Sequence, residues 1–157
     1  MYREYALRCF IAAPLDHTPM FREELVLVTP TSVRALGQLA AIQNLQTIVF
    51  RKGCSYRQRL EAFLASQGIL MSLPLEFGSV DAIVGCIAAG VGISMLPRGL
   101  VTQACRDGRV SIHELPPKDA MVQTQFIRRR DTYVSSAMSE FLKLARNEGD
   151  TLLQAAE

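Results

Sequence analysis

Apolar and polar positions follow one another along the chain in short blocks of two periods. Leu7–Ala13 (LRCFIAA) is a continuous apolar run of strand length, stopped by Pro14 and the turn-forming LDHTP. Glu24–Thr29 (ELVLVT) is a second such run, closed by Pro30. From Ser32 to Asn44 the apolar positions Val33, Leu36, Leu39, Ala40 and Ile42 recur at near-helical spacing, weakened by Gly37. Gln46–Phe50 (QTIVF) is β-branched and short, which predicts a strand broken by Arg51-Lys52-Gly53. Ser55 then caps a predicted helix to Gln67 with Leu60, Phe63 and Leu64 on one stripe, and Gly68 stops it. Met71–Phe77 is a strand whose Pro74 favours an edge position. Ser79 caps the next helix, Val80–Ala89, ended by Gly90 and Gly92. Short elements follow: strand Ile93–Leu96, helix Leu100–Arg106, and strands Val110–Leu115 and Val122–Ile127. Ser135–Arg146 closes the pattern as an amphipathic helix carrying Met138, Phe141, Leu142 and Ala145, before a tail read as loose or partly helical.

Strands alternating with helices predict right-handed βαβ units, and so an α/β chain with a mainly parallel sheet covered on both faces. Ligands of such sheets sit beyond the carboxyl ends of the strands, where helix N-termini point. Gly53–Tyr56 and Gly78–Val80 are the two segments that meet this description.

Composition narrows the class. The chain has 157 residues, 49% of them hydrophobic, which excludes disorder. Seventeen basic against fifteen acidic residues leave a net charge of only +2, too little for a nucleic-acid or anionic-membrane field. No apolar run approaches the length of about 18 residues that a membrane-spanning helix needs. The opening MYREYALRCFIAAPLDH makes a poor signal peptide, so a cytoplasmic chain with no membrane partner is expected. Cys9, Cys54, Cys86 and Cys105 are widely spaced, which argues against a zinc site and for a reducing compartment. Gly90-Val-Gly92 follows a helix and is too short for a dinucleotide fingerprint, so neither cofactor nor metal is expected.

The most informative segment is Phe50-Arg-Lys-Gly-Cys-Ser-Tyr-Arg57. A strand running through a glycine into a helix leaves free backbone N–H groups aimed at the cleft, which suits a carboxylate; simple capping by Ser55 is the plainer alternative. Gly78-Ser79 repeats the arrangement, with the same two readings open. Cys54, beside Lys52 and Arg57, invites a nucleophilic reading, but neither His17 nor His113 has the context of a catalytic base. No catalytic residue is assigned.

These passages resemble the regulatory domain of LysR-type transcriptional regulators. Phe50–Glu61 is similar to the segment opening that domain's second lobe, and Ala88-Ala-Gly-Val-Gly-Ile-Ser-Met-Leu-Pro97 to its A-x-G-x-G-I-x-x-L-P passage. Phe10–His17 and Glu23–Pro30 resemble the end of the first lobe and the crossing strand, and Gln125–Asp131 the returning strand. The resemblance implies a type 2 periplasmic-binding-protein-like fold, with two lobes of parallel-rich sheets joined by crossing strands. Residues 31–121 would form lobe two; residues 1–30 and 122–157 would form a lobe one lacking its opening elements. It further implies a small-molecule effector, carboxylate-bearing on the local chemistry, bound between lobes by Thr29, Pro30, Gly53, Cys54, Ser55, Tyr56, Gly78 and Ser79.

A homodimer through the Tyr56–Gln67 helix and the Met71–Phe77 strand is implied as well, with DNA contacted only through a domain absent from this sequence. Ala12-Ala13-Pro14 lacks the basic residue some members use to grip a second acid, and Ser55 occupies the position of the reactive cysteine of peroxide-sensing members. A periplasmic-type binding protein, or a fragment without a competent effector site, are the alternatives.

Overall fold

The computed structural model describes residues 14–42, 44–51, 54–69 and 72–154, with backbone alone from 146 onward. The predicted strand Leu7–Ala13 lies outside them. The described residues fall into two compact units, one of residues up to Glu23 with those from Val122 onward, the other Glu24–Met121.

In the larger unit, the second half of strand β1 (Leu15–Thr29) is buried from Leu25 through Thr29 without interruption. Such a run fits a strand covered on both faces. It pairs antiparallel with β4 (Ser94–Pro97), Val28 opposite Ser94, and with β5 (Ser111–His113), Val28 opposite Ile112. The parallel part of the architecture is separate. There β2 (Ile48–Phe50) pairs in register with β3 (Leu75–Phe77), and Thr47 bridges to Ile93 at the foot of β4. The expectation of parallel-rich sheets therefore holds around β2. It gives way to antiparallel pairing around β1, a strand that enters this unit from the opposite direction.

Helix α1 (Ser55–Ser66) packs against β2 and β4, burying Leu60, Phe63 and Leu64. Helices α2 (Val80–Ala88) and α3 (Arg98–Arg106) enclose the second core, in which Val26, Val28, Ile48 and Leu96 meet Ile83, Ile87 and Val101. Strand alternation leaves Leu25, Leu27 and Met95, also buried, for the other face. Full burial of each such side chain contributes about 1.5–3 kcal/mol.

Local expectations were met unevenly. The 32–44 segment forms only a 3-10 turn, Leu36–Ala41, consistent with Gly37 at its start. Pro74 sits immediately before β3, which among the described residues pairs with β2 alone and is an edge strand. Helix α1 begins one residue earlier than a Ser55 cap requires: Cys54 holds the N-cap position and Ser55 is the first helical residue. Ser79 does occupy the N-cap of α2, but its side chain makes no capping hydrogen bond. Gly90, at φ +79°, closes α2 by returning its N–H to Ile87 while Val91 reaches Cys86.

In the smaller unit, the LDHTP segment is strand rather than turn, because it is held against β6 (Met121–Arg129). Asp16 receives Arg128 at 2.6 Å and Arg130 at 2.8 Å, and His17 meets Gln125 at 3.2 Å. Cross-strand pairing of this kind overrides weak local propensity. Pro19 is tolerated there as an exposed residue. Helix α5 (Ser136–Gln154) carries the tail's residues through Gln154 and sets Phe141 6.5 Å from Phe126. A short helix, α4 (Pro117–Ala120), precedes β6.

Gly92 is the most closely approached of the described glycines. A Cβ there would lie 2.3 Å from the carbonyl oxygen of Gln46, the group that accepts the Ile93 N–H at 3.0 Å. Gly92→Ala must push β2 away from β4, and we expect a loss of about 2 kcal/mol or more in urea unfolding. A loss below about 0.5 kcal/mol would show that the backbone yields freely.

Candidate functional site

Because Phe50 and Phe77 stand opposite each other in a parallel pair, both strands end at one edge and both feed helices there. Cys54, Ser55 and Tyr56 open α1, and Gly78 and Ser79 lead into α2. The structure thus gathers five of the eight expected site residues at one end of the sheet. Gly53 lies outside the described residues. Ser55, Gly78 and Ser79 are exposed, while Cys54 and Tyr56 are half-buried. The Tyr56 ring stands edge-on to Phe50 with centroids 6.4 Å apart.

Two arginines organise this edge. Arg57 donates from Nε to Glu61 at 2.8 Å and from Nη1 to Glu76 at 2.5 Å, which ties the first turn of α1 to β3. Both carboxylates hold its guanidinium above the ordinary arginine range. Arg51 is different. Its guanidinium passes 3.9 Å from where a Cβ on Gly78 would be, and it makes no ion pair among the described residues. A free cation beside two helix N-termini is a setting for an anion. Local reading passed over Arg51 as a strand breaker, since only the β2–β3 pairing brings it to Gly78.

A third arginine, also missed, stands just beyond β4. Arg98 grips Glu24 through Nε at 2.5 Å and Nη2 at 3.0 Å, and reaches Glu114 at 2.5 Å. Hydrogen bonding to Arg98, reinforced by its charge, holds the Glu24 carboxyl below its usual range, and the same contacts raise Arg98. Residues so distant in sequence carry no local signal.

Thr29 and Pro30 are not brought to this edge. The β1–β4 register sets Thr29 level with the foot of β4, about three residues or roughly 10 Å from the Phe50 level. Thr29 is fully buried, donates its hydroxyl hydrogen bond to the Pro30 carbonyl at 3.1 Å, and stands 2.9 Å from Nε2 of His113. That engagement also leaves Cys54 without His113 as a base.

Residues 10–150 match the family model described as the LysR substrate binding domain. The chain belongs to that family. This LysR substrate-binding domain is 40% identical over 143 residues to the HTH-type transcriptional regulator GltR of Bacillus subtilis, covering 88% of this chain and 48% of that protein. It is 33% identical over 132 residues to the regulator SoxR of an Arthrobacter species, covering 84% and 45%. The chain spans about half the length of the curated relatives it matches. Among solved structures it is similar to the effector-binding domain of QuiR in complex with shikimate, at TM-score 0.67 and 18% identity over 87% of this chain and 66% of that one. It is likewise similar to the Synechocystis CcmR regulatory domain in complex with 2-PG, at TM-score 0.69 and 19% identity over 88% and 68%. These likenesses establish the effector-domain fold, of the periplasmic-binding-protein type. The family is defined by binding within transcriptional regulators and not by a reaction. Among the described residues no helix is long and apolar enough to cross a membrane.

Burial pushes the His113 imidazole down, opposed by a weaker backbone hydrogen bond to Val33. A folded value below the unfolded one means the unfolded chain takes up the proton first. Stability should therefore hold above pH about 6.5 and decline as pH falls through that value. Urea midpoints between pH 5 and 8 should show this decline, and His113→Gln should flatten it. An unchanged slope in the variant would remove His113 as its source.

Proposed function

We propose that this LysR substrate-binding domain senses a small carboxylate-bearing effector at the edge where β2 and β3 end. The observation that carries the reading is the in-register strand pair, which sets two helix N-termini side by side with the unpaired Arg51 guanidinium over Gly78. Backbone N–H groups of the opening turns of α1 and α2 would receive the carboxylate oxygens, and Arg51 would add charge-assisted donors. Ser55 and Ser79 contribute hydroxyls that their helices do not use as caps. Tyr56, against Phe50, offers an apolar wall for the rest of the molecule. The effector complexes named for the QuiR and CcmR domains support this class of ligand.

An effector that prefers one conformational state shifts the equilibrium by its differential affinity. In this proposal the shift acts in the cytoplasm, within a transcriptional regulator that reads DNA through a segment outside these 157 residues. Thr29 and Pro30 take no part, since they lie at the other end of the sheet. Self-association would use α1 and β3. Among the described residues β3 pairs with β2 alone, and Leu73 beside it is 88% exposed. Sedimentation should find Leu75→Glu monomeric where the unaltered chain is a dimer; equal masses would contradict this surface.

Thermal melting against a panel of small carboxylates and amino acids tests the site. A ligand at a hundred times its Kd stabilises by about 2.7 kcal/mol. Arg51→Gln should weaken the identified binder by about tenfold. Ser55→Ala should weaken it several-fold while changing stability by less than about 0.5 kcal/mol, as its hydroxyl caps nothing. A cooperative melt that no carboxylate moves would reject the proposal.

A further inference from the structure

Among the described residues, the edge where β2 and β3 end carries more acid than base. Two arginines, Arg51 and Arg57, stand there with three carboxylates, Glu61, Glu76 and Asp81. We propose that Glu76, together with Glu61, is a specificity determinant of this edge: by committing Arg57 it limits the effector to a single carboxylate and disfavours dicarboxylates. The inference rests on the effector reading above and goes beyond it by fixing the charge of the ligand.

The two arginines differ in what they can offer. Arg57 gives Nε to Glu61 at 2.8 Å and Nη1 to Glu76 at 2.5 Å, and its side chain is only 14% exposed. One guanidinium shared by two carboxylates leaves that flank net negative, so it holds no spare positive charge for a ligand. Arg51 makes no ion pair among the described residues and passes beside Gly78. A first carboxylate therefore meets one uncommitted guanidinium and the N–H groups of the helix starts.

A second carboxylate on the same molecule meets the reverse. Glu76 stands opposite Val49 in the parallel pair, one residue before the end of β3. That is roughly 3 Å along the strand from Phe77, well inside the Debye length of about 8 Å at physiological salt. The side chains of Glu76 and Glu61 are both partly exposed, so their charge reaches the solvent beside the edge. Asp81 is exposed in the first turn of α2, where it already answers that helix's positive end, whereas the first turn of α1 holds no acidic residue. Like charge disfavours a second ionised group here, while an amide or hydroxyl in its place is not repelled.

Succinate and succinamate, nearly equal in shape and different by one charge at neutral pH, test the proposal by amide NMR titration of the intact chain. At the Cys54–Tyr56 and Gly78–Val80 amides succinamate should bind at least about fivefold tighter than succinate, and added salt should shrink the difference. Glu76→Gln removes the charge and keeps the shape, so it should tighten succinate and at least halve the preference. Glu76→Asp keeps the charge and shortens the reach to Arg57, so it should retain the preference. A purely structural role for the Arg57 contact predicts the opposite order, with the Asp variant the more disturbed. Lys52 lies outside the described residues, and a second carboxylate held by it would appear as equal affinity for the two compounds. Equal affinity in the unaltered chain, which needs no variant, or an unchanged preference in Glu76→Gln would overturn the inference and leave the effector edge standing. Saturable shifts with neither compound, nor with any carboxylate of the melting panel, would reject the edge itself and this inference with it.

Discussion

The in-register parallel pairing of Ile48–Phe50 with Leu75–Phe77 decides where two helices begin, and the rest of the larger unit follows from it. A parallel pair places both carboxyl ends on the same side, so the chain must leave there twice and turn back twice. Each return is a helix, α1 or α2, and each helix presents unsatisfied N–H groups at that edge. Ile93 locks β2 from its other side, and Gly92 is what allows the approach. A shift of the β2–β3 register by one residue would part the two helix starts and turn every β3 side chain to the other face.

The two ends of this sheet consequently differ in chemistry. At the carboxyl end stand Arg51, the Arg57 pairs with Glu61 and Glu76, and the Arg98 pairs with Glu24 and Glu114. Each pair is partly exposed and contributes little stability, but the Arg57 pairs tie the first turn of α1 to β3. At the amino end buried Thr29 is engaged by the Pro30 carbonyl and His113.

The parts of this arrangement legible in the sequence are those written in one local period. The buried run Leu25–Thr29, the stripe of Leu60, Phe63 and Leu64, and the glycines after α1 and α2 could be read directly. The residues Cys54–Tyr56 and Gly78–Ser79 could be named because a strand–glycine–helix junction is local too. Strand Leu15–Met20 could not, since its turn-forming residues are held extended by β6, more than a hundred positions away. Nor could the separation of Thr29 and Pro30 from the other candidates, which only the β1–β4 register reveals. Arg51 and Arg98 acquire meaning from partners that pairing, not spacing, brings near. The cap moved from Ser55 to Cys54 by a single residue, within the fraying that helix ends allow.

The measurement that addresses the central claim most directly is an amide NMR titration of the intact chain with whichever small carboxylate stabilises it most. The account predicts that the Cys54–Tyr56 and Gly78–Val80 amides move together along one saturation curve, since a single ligand would touch both helix starts. Movement of one set without the other, or shifts centred on Thr29, would contradict it.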